Sequence, residues 1–298
     1  MAGMSNNSIR ITLFWILHFS ISSSLHAETL GPEKGVLFIH GGGAFNAGEF
    51  VNLVKKASGK DQPVIRVITT PQGKRRIADY KKGIPFRMVA NLKGRFRLES
   101  VSELYTLSRK EADTHDFYEQ IDSADAVFIS GGNQSFLTDA FLGTETLEAL
   151  RRLLDRGGVI GGSSAGAQVQ SSFMTRGDYN RRIILGDKRH QVGFGFVQNA
   201  AFDVHVEERD RQKDLLRLFR AKKSQLQIKN LDRLGILGIG IDQGTAITVV
   251  KNSFRVSGRG VVYIFDPHQW GDDPKTWDYY ELKSGTFFDM KSRKVVKP

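Results

Sequence analysis

The residues best suited to chemistry lie in segment 157–168, which reads GGVIGGSSAGAQ. Ser164 is at the centre of a G-x-S-x-G pattern made with Gly162 and Gly166, between a short apolar run and alanine-rich sequence of helical type. This order predicts a sharp strand-to-helix turn, where small neighbours relieve crowding and the hydroxyl is exposed. The backbone N–H after the serine can then face a developing oxyanion. We therefore interpret Ser164 as a nucleophile, with an ordinary glycine–serine loop as the alternative.

A serine hydroxyl needs a general base, most often a histidine held by a carboxylate. Among the seven histidines, His205 alternates with Asp203 and Glu207 in a predicted strand. A two-residue period places these side chains on one face, where a carboxylate can set the tautomer of the imidazole. This pattern favours His205 as the base over a purely structural histidine. The sequence leaves the orienting acid open among Asp178, Asp187 and Asp203.

An oxyanion also needs two N–H donors. Ala165 follows the predicted nucleophile and supplies one of them. Gly43, or its neighbour Gly42, is the second candidate, because only glycine lets the backbone approach so closely. The alternative is that these glycines merely form a tight turn after His40. Gln134 follows another glycine pair and has two interpretations, a hydrogen bond to substrate or a helix cap.

Apolar runs and helical periods alternate along the chain. Strands are predicted at 35–39, 64–69, 126–130, 159–160, 202–206, 235–241 and 246–250, and helices at 45–57, 112–121, 135–141, 145–155 and 208–221. This alternation predicts an α/β fold of three layers, a mostly parallel sheet with helices on both faces. Glycine-rich turns follow Ile39, Ser130 and Ile160, at the strand ends where such sheets bind ligands. We expect these turns to be neighbours.

The rest of the chain gives weaker signals. We expect a hairpin at 254–265 and assign no structure to residues 71–100. A single catalytic domain is predicted over 28–298, with a loose tail from about residue 266.

Residues 1–27 have the composition of a secretory signal peptide: one charge at Arg10, an apolar run at 11–21 and small residues ending at Ala27. We expect a secreted or periplasmic bacterial protein with no membrane span after signal removal, the alternative being a short uncleaved anchor. The run is too short for a stable span.

The net charge is +11 and cysteine is absent, which excludes disulfides, thiolate metal sites and a cysteine nucleophile. No metal-ligand cluster or nucleotide fingerprint is visible, so we expect no cofactor and no metal. Lysine and arginine concentrate in residues 55–97, which suits an acidic polymer, a membrane surface or simply a solvated face. The aromatic-interleaved pattern of nucleic-acid readers is missing, and no nucleic-acid partner is expected.

Several short motifs occur in a fixed order. They are GGNQ at 131–134, GGSSAGA at 161–167, RGD at 176–178, GFGF at 193–196, D-x-H at 203–205, R-x-R at 209–211 and GIGID at 238–242. Together they resemble cyanophycinase and its relatives among the dipeptidase E-like serine peptidases, over roughly residues 34–265. The resemblance implies a class I glutamine-amidotransferase-like (flavodoxin-like) fold, with Ser164 as nucleophile and His205 as base. The resemblance implies that the acid is a glutamate about eighteen residues after the serine. This chain has no glutamate there, and Asp178 is the carboxylate nearest to that position.

The resemblance also implies substrate contacts at Gln134, Asp203, Arg209 and Arg211, while an arginine of the family pattern is replaced by Asp214 and a pocket amide by Val204. The expected function is hydrolysis of cyanophycin or β-aspartyl-type peptides through a Ser-His-acid triad. The alternatives are an α/β-hydrolase esterase that uses His268, or a catalytically inactive binding protein of the same fold. A homodimer is one assembly that the sequence leaves open.

Overall fold

The computed structural model describes residues 29–178, 183–228 and 230–297. The predicted signal peptide at 1–27 therefore lies outside the described residues. The strands are β1 (Val36–His40), β2 (Val64–Ile68), β3 (Ser100–Leu104), β4 (Ala126–Ile129), β5 (Val159–Ser163), β6 (Ser171–Met174), β7 (Val197–Val204), β8 (Leu237–Ile241), β9 (Thr245–Val250), β10 (Ser253–Gly258), β11 (Val262–Phe265), β12 (Tyr280–Leu282), β13 (Phe287–Asp289) and β14 (Lys294–Val296).

The helices are α1 (Ala47–Ser58), α2 (Ile77–Lys81), α3 (Arg87–Arg95), α4 (Arg109–Ala112), α5 (His115–Asp122), α6 (Ser135–Phe141), α7 (Glu145–Asp155), α8 (Ala165–Gln168) and α9 (Leu216–Phe219). Segments of 3₁₀ helix occur at Thr70–Arg76, Lys188–His190, Glu207–Arg209, Lys223–Gln225 and Pro267–Gln269.

The main sheet has the order β14-β13-β10-β9-β1-β5-β4-β2-β3. The five strands from β1 to β3 are mutually parallel, and β9, β10, β13 and β14 continue the sheet in antiparallel fashion. Side chains of β1 alternate between two core clusters. Leu37 and Ile39 pack with α5, α6 and α7, whereas Phe38 packs with α1 and α3 on the opposite face. The prediction of a mostly parallel sheet covered by helices on both faces is confirmed.

A second sheet has the order β12-β11-β8-β7-β6. The predicted hairpin at 254–265 is wrong, because β10 belongs to the main sheet and β11 to the second one. Between them, the N–H of Gly260 donates to Thr245 Oγ1 at 2.8 Å and the N–H of Val261 to Asp242 Oδ2 at 3.1 Å. These two side chains hold the backbone where it passes from one sheet to the other, so β10 and β11 do not pair with each other.

The predicted helix at 208–221 is also wrong. Only Leu216–Phe219 is α-helical, and Asp210 interrupts the segment with a left-handed φ of 51°. The apolar residues of the segment lie next to one another in sequence and pack into a third core cluster, rather than forming one helical stripe.

Residues 71–100, which the sequence left unassigned, contain most of the 3₁₀ segment that begins at Thr70, followed by α2 and α3. Buried Arg76 ties this segment to β3, because its Nε and Nη2 each donate to a carboxylate oxygen of Glu103 at 2.6 Å. The N–H of Phe86 donates to the same carboxylate at 3.0 Å. The tail expected to be loose carries β12, β13 and β14, which extend the two sheets.

Gly161 gives a direct test of the packing at the sheet centre. A Cβ at this position would lie 2.6 Å from Phe50 and 2.7 Å from Phe128, so Gly161→Ala should destabilise the protein by about 1–3 kcal/mol through overpacking. Gly94 in α3 has no heavy atom within 4 Å of its ideal Cβ, and Gly94→Ala should stabilise by about 0.5–1 kcal/mol. Denaturant unfolding of both variants measures the two effects. Equal stability of the two variants would contradict this packing.

Candidate active site

Ser164 lies on the turn between β5 and α8, as its sequence context predicts. Its φ of 56° and ψ of −113° are unusual for a residue with a side chain. The flanking glycines are required by close backbone approach. A Cβ on Gly162 would lie 2.1 Å from the carbonyl oxygen of Gly166, and a Cβ on Gly166 would lie 2.1 Å from that of Ile129. The backbone N–H of Ser164 donates to the carbonyl of His40 at 3.0 Å, which fixes the turn to the end of β1.

His205 follows the last residue of β7 and meets the serine. Its Nε2 is 2.8 Å from Ser164 Oγ, within hydrogen-bonding and proton-transfer reach. The predicted face shared by Asp203, His205 and Glu207 does not form, because the strand ends at Val204 and His205 has a left-handed φ of 55°. Asp203 is instead buried, and Glu207 begins an exposed 3₁₀ turn.

The glycine turn after β1 holds the imidazole in place. The N–H of His205 donates to the carbonyl of Gly41 at 3.1 Å. Gly42, with a φ of 107°, lies against the ring, and a Cβ there would be 2.1 Å from His205 Cε1. Any side chain at position 42 would therefore occupy the space of the imidazole.

The side chain of His40 is hydrogen-bonded to this turn. Its Nδ1 accepts a hydrogen bond from the N–H of Gly42 at 3.1 Å and lies 3.0 Å from Ser163 Oγ. Burial lowers the pKa of His40 from 6.5 to about 4, although a hydrogen bond with the backbone of Ala44 opposes part of the shift. The imidazole is thus neutral near pH 7 and acts as an acceptor.

The structure separates the candidate oxyanion donors. The N–H of Gly42 already donates to His40 Nδ1. Gly43 lies against the side chain of Gln243, because a Cβ added at Gly43 would be 2.4 Å from Gln243 Oε1. Gly131, after β4, lies against the serine instead: its ideal Cβ would be 3.3 Å from Ser164 Cβ and 3.9 Å from Oγ. The carbonyl of Gly131 accepts from Gln72 Nε2 at 2.6 Å.

The sequence did not indicate that Gly131 lies beside Ser164, where its N–H is a candidate oxyanion donor. The signal that could have found it is its position after β4, at the same sheet edge as Ser164, because β4 and β5 are adjacent parallel strands.

The three candidate orienting acids have different surroundings. Asp203 is 1 % exposed and accepts from Nε and Nη2 of Arg176, both at 2.7 Å. Asp187 is paired with Arg189 near the surface. Asp178 lies beside residues 179–182, which the structure does not describe, and its backbone carbonyl accepts from Asn133 Nδ2 at 3.4 Å. The carboxylates of Asp203 and Asp187 are therefore committed to arginines, while the role of Asp178 stays a prediction.

The residues that the resemblance implies as substrate contacts are mostly internal. Gln134 is 1 % exposed, and its Nε2 donates to the carbonyls of Thr175 at 2.8 Å and Arg176 at 2.9 Å. Arg211 is buried and donates to the carbonyl of Val204 at 3.0 Å. With Asp203 held by Arg176, these side chains bind the protein itself. Arg209 is exposed.

The sequence analysis assigned no structural role to Arg176, which forms a buried ion pair. This residue is only 2 % exposed and lies between two carboxylates, because its Nη2 also contacts Asp214 Oδ2 at 2.6 Å. Its presence in an RGD turn suggested no such burial. Asp214 thus supplies a second carboxylate that neutralises an internal cation.

A cavity of about 330 Å³ opens beside the catalytic candidates. It is lined by Gly43, Ala44, Phe45, Ala47, Phe86, Arg87, Met88, Asn91, Leu92, Phe128, Ser130, Gly131 and Ser163. Its walls combine aromatic rings with a few polar groups, as is usual for pockets that hold a side chain of a ligand. Within the described residues, no cluster of His, Cys, Asp or Glu could hold a metal ion. The described helices are also too short or too polar to cross a membrane.

Comparison with known proteins first defines the fold. The chain superposes on the crystal structure of a peptidase from an acI-B1 Actinobacterium with a TM-score of 0.62 and 22 % identity, covering 87 % of this chain and 98 % of that one. The fold is therefore that of this peptidase, an α/β protein with a large, mostly parallel sheet.

Residues 88–257 match Peptidase family S51, and the chain belongs to this family. It is 28 % identical to the cyanophycinase of Geminocystis herdmanii over 165 residues, or 53 % of this chain and 55 % of that protein. It is also 28 % identical to the cyanophycinase of Synechococcus elongatus over 173 residues, or 57 % and 50 %. The chain spans about half the length of the curated relatives it matches. The family resemblance drawn from the motif order is confirmed.

The contact between Gly42 and His205 predicts a sharp effect on reactivity. Gly42→Ala should displace the imidazole and slow fluorophosphonate labelling of Ser164 by about 100-fold, since a misplacement near 1 Å has effects of that size. Gly285 is a matched control: its φ of 89° also disfavours alanine, but no heavy atom lies within 4 Å of its ideal Cβ. Gly285→Ala should therefore label at the normal rate. Unchanged labelling of Gly42→Ala, by quantitative mass spectrometry, would contradict the arrangement.

The lowered pKa of His40 predicts a pH-dependent stability. Between pH 6.5 and about 4 the unfolded chain binds a proton at this site more readily than the folded chain does. The contribution of the neutral ring is present above pH 6.5 and is lost as pH falls through the folded pKa, to a total of about 3 kcal/mol. His40→Gln should flatten the pH dependence of the unfolding free energy in this window, whereas His268→Gln, at an exposed position, should not. Equal slopes for the wild type and His40→Gln would disprove the assignment.

Proposed function

We propose that this protein is a serine-type peptidase in which Ser164 is the nucleophile and His205 the general base. The observation that carries the proposal is the 2.8 Å separation of Ser164 Oγ and His205 Nε2, which meet where β1 and β5 of the main sheet and β7 of the second sheet end. Membership of Peptidase family S51 supports the same reaction class.

The geometry suits acyl transfer. Ser164 Oγ attacks the scissile carbonyl carbon while His205 Nε2 takes its proton, and the protonated imidazole then gives that proton to the leaving amine. Water, deprotonated by the same nitrogen, hydrolyses the acyl-enzyme and restores the serine. His40 is too deeply buried, and its pKa too low, to take over this role near neutral pH.

We assign the oxyanion to two backbone donors, Ala165 and Gly131. Ala165 is the first residue of α8, where an N–H has no partner inside the helix. In the described part of the chain, neither its N–H nor that of Gly131 donates to a protein oxygen. Gly43, which we expected from the sequence, remains a weaker candidate because it faces Gln243. Asp178 remains our proposal for the acid that orients His205.

The substrate proposal is a peptide, and the resemblance to cyanophycinases extends it to cyanophycin or β-aspartyl-type peptides. Residues 1–27 support export of the enzyme to the periplasm or the medium. Because Gln134, Asp203 and Arg211 are bound internally, any recognition of the arginine and carboxylate groups of cyanophycin must use other groups, among which Arg209 is exposed.

Labelling with a serine-reactive fluorophosphonate tests the nucleophile and the base. Ser164→Ala should abolish labelling, and His205→Ala should slow it by about 10²–10⁴-fold, the usual contribution of a general base. His268→Ala is the control that distinguishes an α/β-hydrolase esterase, and it should label like the wild type. Peptide mapping must place the adduct on Ser164. An adduct on Ser163, or labelling that survives Ser164→Ala, would reject the mechanism.

The substrate class is tested separately by mass spectrometry of products after incubation with cyanophycin and a panel of β-aspartyl dipeptides. Release of β-aspartyl-arginine by the wild type, but not by Ser164→Ala, is the expected result. If the wild type is labelled on Ser164 but releases no β-aspartyl-arginine, the proposed nucleophile stands and the proposed substrate class is rejected.

A further inference from the structure

We propose that a basic surface beside the active site binds an acidic stretch of the polypeptide substrate. The basic surface consists of the exposed residues Lys74, Arg75, Lys81, Lys82, Arg87, Lys93, Arg95 and Arg97. The proposal rests on the proposed peptidase function and adds a substrate class to it: peptides with clustered aspartate or glutamate residues on one side of the scissile bond.

The charge of this surface has little internal compensation. Asp79 is the only acidic residue in segment 74–97, and it lies 3.5 Å from Arg76 Nη1, so its charge is already paired. In the parts of the chain that the structure describes, none of the cations that form the basic surface has a carboxylate within 4 Å. Such a cluster raises the local concentration of anionic ligands and speeds their association.

The basic surface is presented on a fixed support. Val89 and Leu92 pack the inner side of α3 into the core cluster that also contains Phe38. On the other side of the segment, the guanidinium of Arg76 is clamped by Glu103, which also accepts the N–H of Phe86. The cations therefore extend from elements whose backbones are anchored to the main sheet.

The same segment forms one wall of the cavity beside the nucleophile. Phe86, Arg87, Met88 and Asn91 line that cavity on one side. Gly131, which contacts Ser164, and Ser163, which precedes it, line the other side. The cavity thus connects this segment to Ser163, the residue before the nucleophile, and a chain held by the basic surface would lie close to Ser164.

The lining of the cavity favours a peptide over a nucleic acid. The rings of Phe45, Phe86 and Phe128 lie inside the cavity rather than alternating with the exposed cations, so they suit one substrate side chain more than a series of stacked bases. Tyr80, the exposed aromatic residue of the segment, packs its ring against Tyr105. An extended peptide can put one side chain into the cavity while its carboxylates follow the lysines and arginines outside.

Binding measured in the full chain carrying Ser164→Ala tests the proposal without depending on catalysis. The probe is a fluorescein-labelled oligo-aspartate of about ten residues, which spans roughly 30 Å when extended. Fluorescence anisotropy should show binding that weakens with added salt. A glycine–serine peptide of equal length should not bind, and a single-stranded oligonucleotide of equal length serves as the second polyanion.

The decisive comparison uses two variants with the same loss of charge. The α2–α3 variant combines Lys81→Gln, Lys82→Gln, Lys93→Gln and Arg95→Gln, and it should weaken oligo-aspartate binding by at least about tenfold. The control combines Lys275→Gln, Lys283→Gln, Lys291→Gln and Lys294→Gln, all at exposed positions in the C-terminal part, and should change binding less than about twofold. If the α2–α3 variant unfolds, the pairs Lys81→Gln with Lys82→Gln and Lys93→Gln with Arg95→Gln replace it.

Equal losses in the two variants would show a non-specific charge effect and overturn the proposal, as would no binding at all. Tighter binding of the oligonucleotide, lost in the same α2–α3 variant, would assign the surface to nucleic acid and also overturn it. Fluorophosphonate labelling of the α2–α3 variant without Ser164→Ala keeps the proposals apart. A variant that labels normally but has lost oligo-aspartate binding supports both proposals, whereas a wild-type protein that does not label rejects the peptidase alone.

Discussion

Two carbonyl groups at the end of β1 hold the whole site together. The carbonyl of His40 accepts the N–H of Ser164 at 3.0 Å, and the carbonyl of the next residue, Gly41, accepts the N–H of His205 at 3.1 Å. Ser164 and His205 both have positive φ values, 56° and 55°, which cost on the order of 1–3 kcal/mol each in residues with side chains. Such conformations persist only where the surroundings enforce them. Here the enforcing groups are two consecutive peptide carbonyls, that of the last residue of β1 and that of the residue after it, so Ser164 and His205 are positioned relative to the same segment of backbone.

The position of those carbonyls depends in turn on the register of the main sheet. His40 pairs with Ser163 of β5 on one side and with Ala246 of β9 on the other. A slip of β1 by one residue would exchange Leu37 and Ile39 with Phe38 between the two core clusters. The core therefore specifies the register, and the register specifies where the hydroxyl and the imidazole meet. Although they are far apart in sequence, Ser164 and His205 are set by the same packing.

How much of this was predictable varies with the range of the interactions. The buried strands and the amphipathic α7 follow from local pattern, and the predicted helix at 145–155 has the bounds that the structure gives. The strand-to-helix turn at Ser164 also follows from its small neighbours. The predictions that were wrong concern segments whose structure depends on residues outside the segment itself. Asp242 and Thr245 accept hydrogen bonds from the backbone after β10, so the expected hairpin does not form. No sequence pattern within segment 254–265 indicates these two partners. The alternation that pointed to His205 as the base is only partly present, because it stops where the left-handed turn begins after Val204.

The buried Arg176 explains why motif resemblance is better evidence for the scaffold than for the substrate. Its guanidinium binds Asp203, two residues before His205, and its carbonyl accepts from Gln134. A buried ion pair is costly unless its hydrogen bonds are satisfied, and here both carboxylate oxygens of Asp203 accept from the same fork.

The GGNQ, RGD and D-x-H motifs thus meet in one network that fixes the end of β7, and with it the imidazole. The residues of this network therefore have a structural role in this chain that does not depend on the substrate. Substrate choice must then come from groups outside the network, and the cavity lined by Phe45 and Arg87, with the cations around it, is the part of the site with such groups.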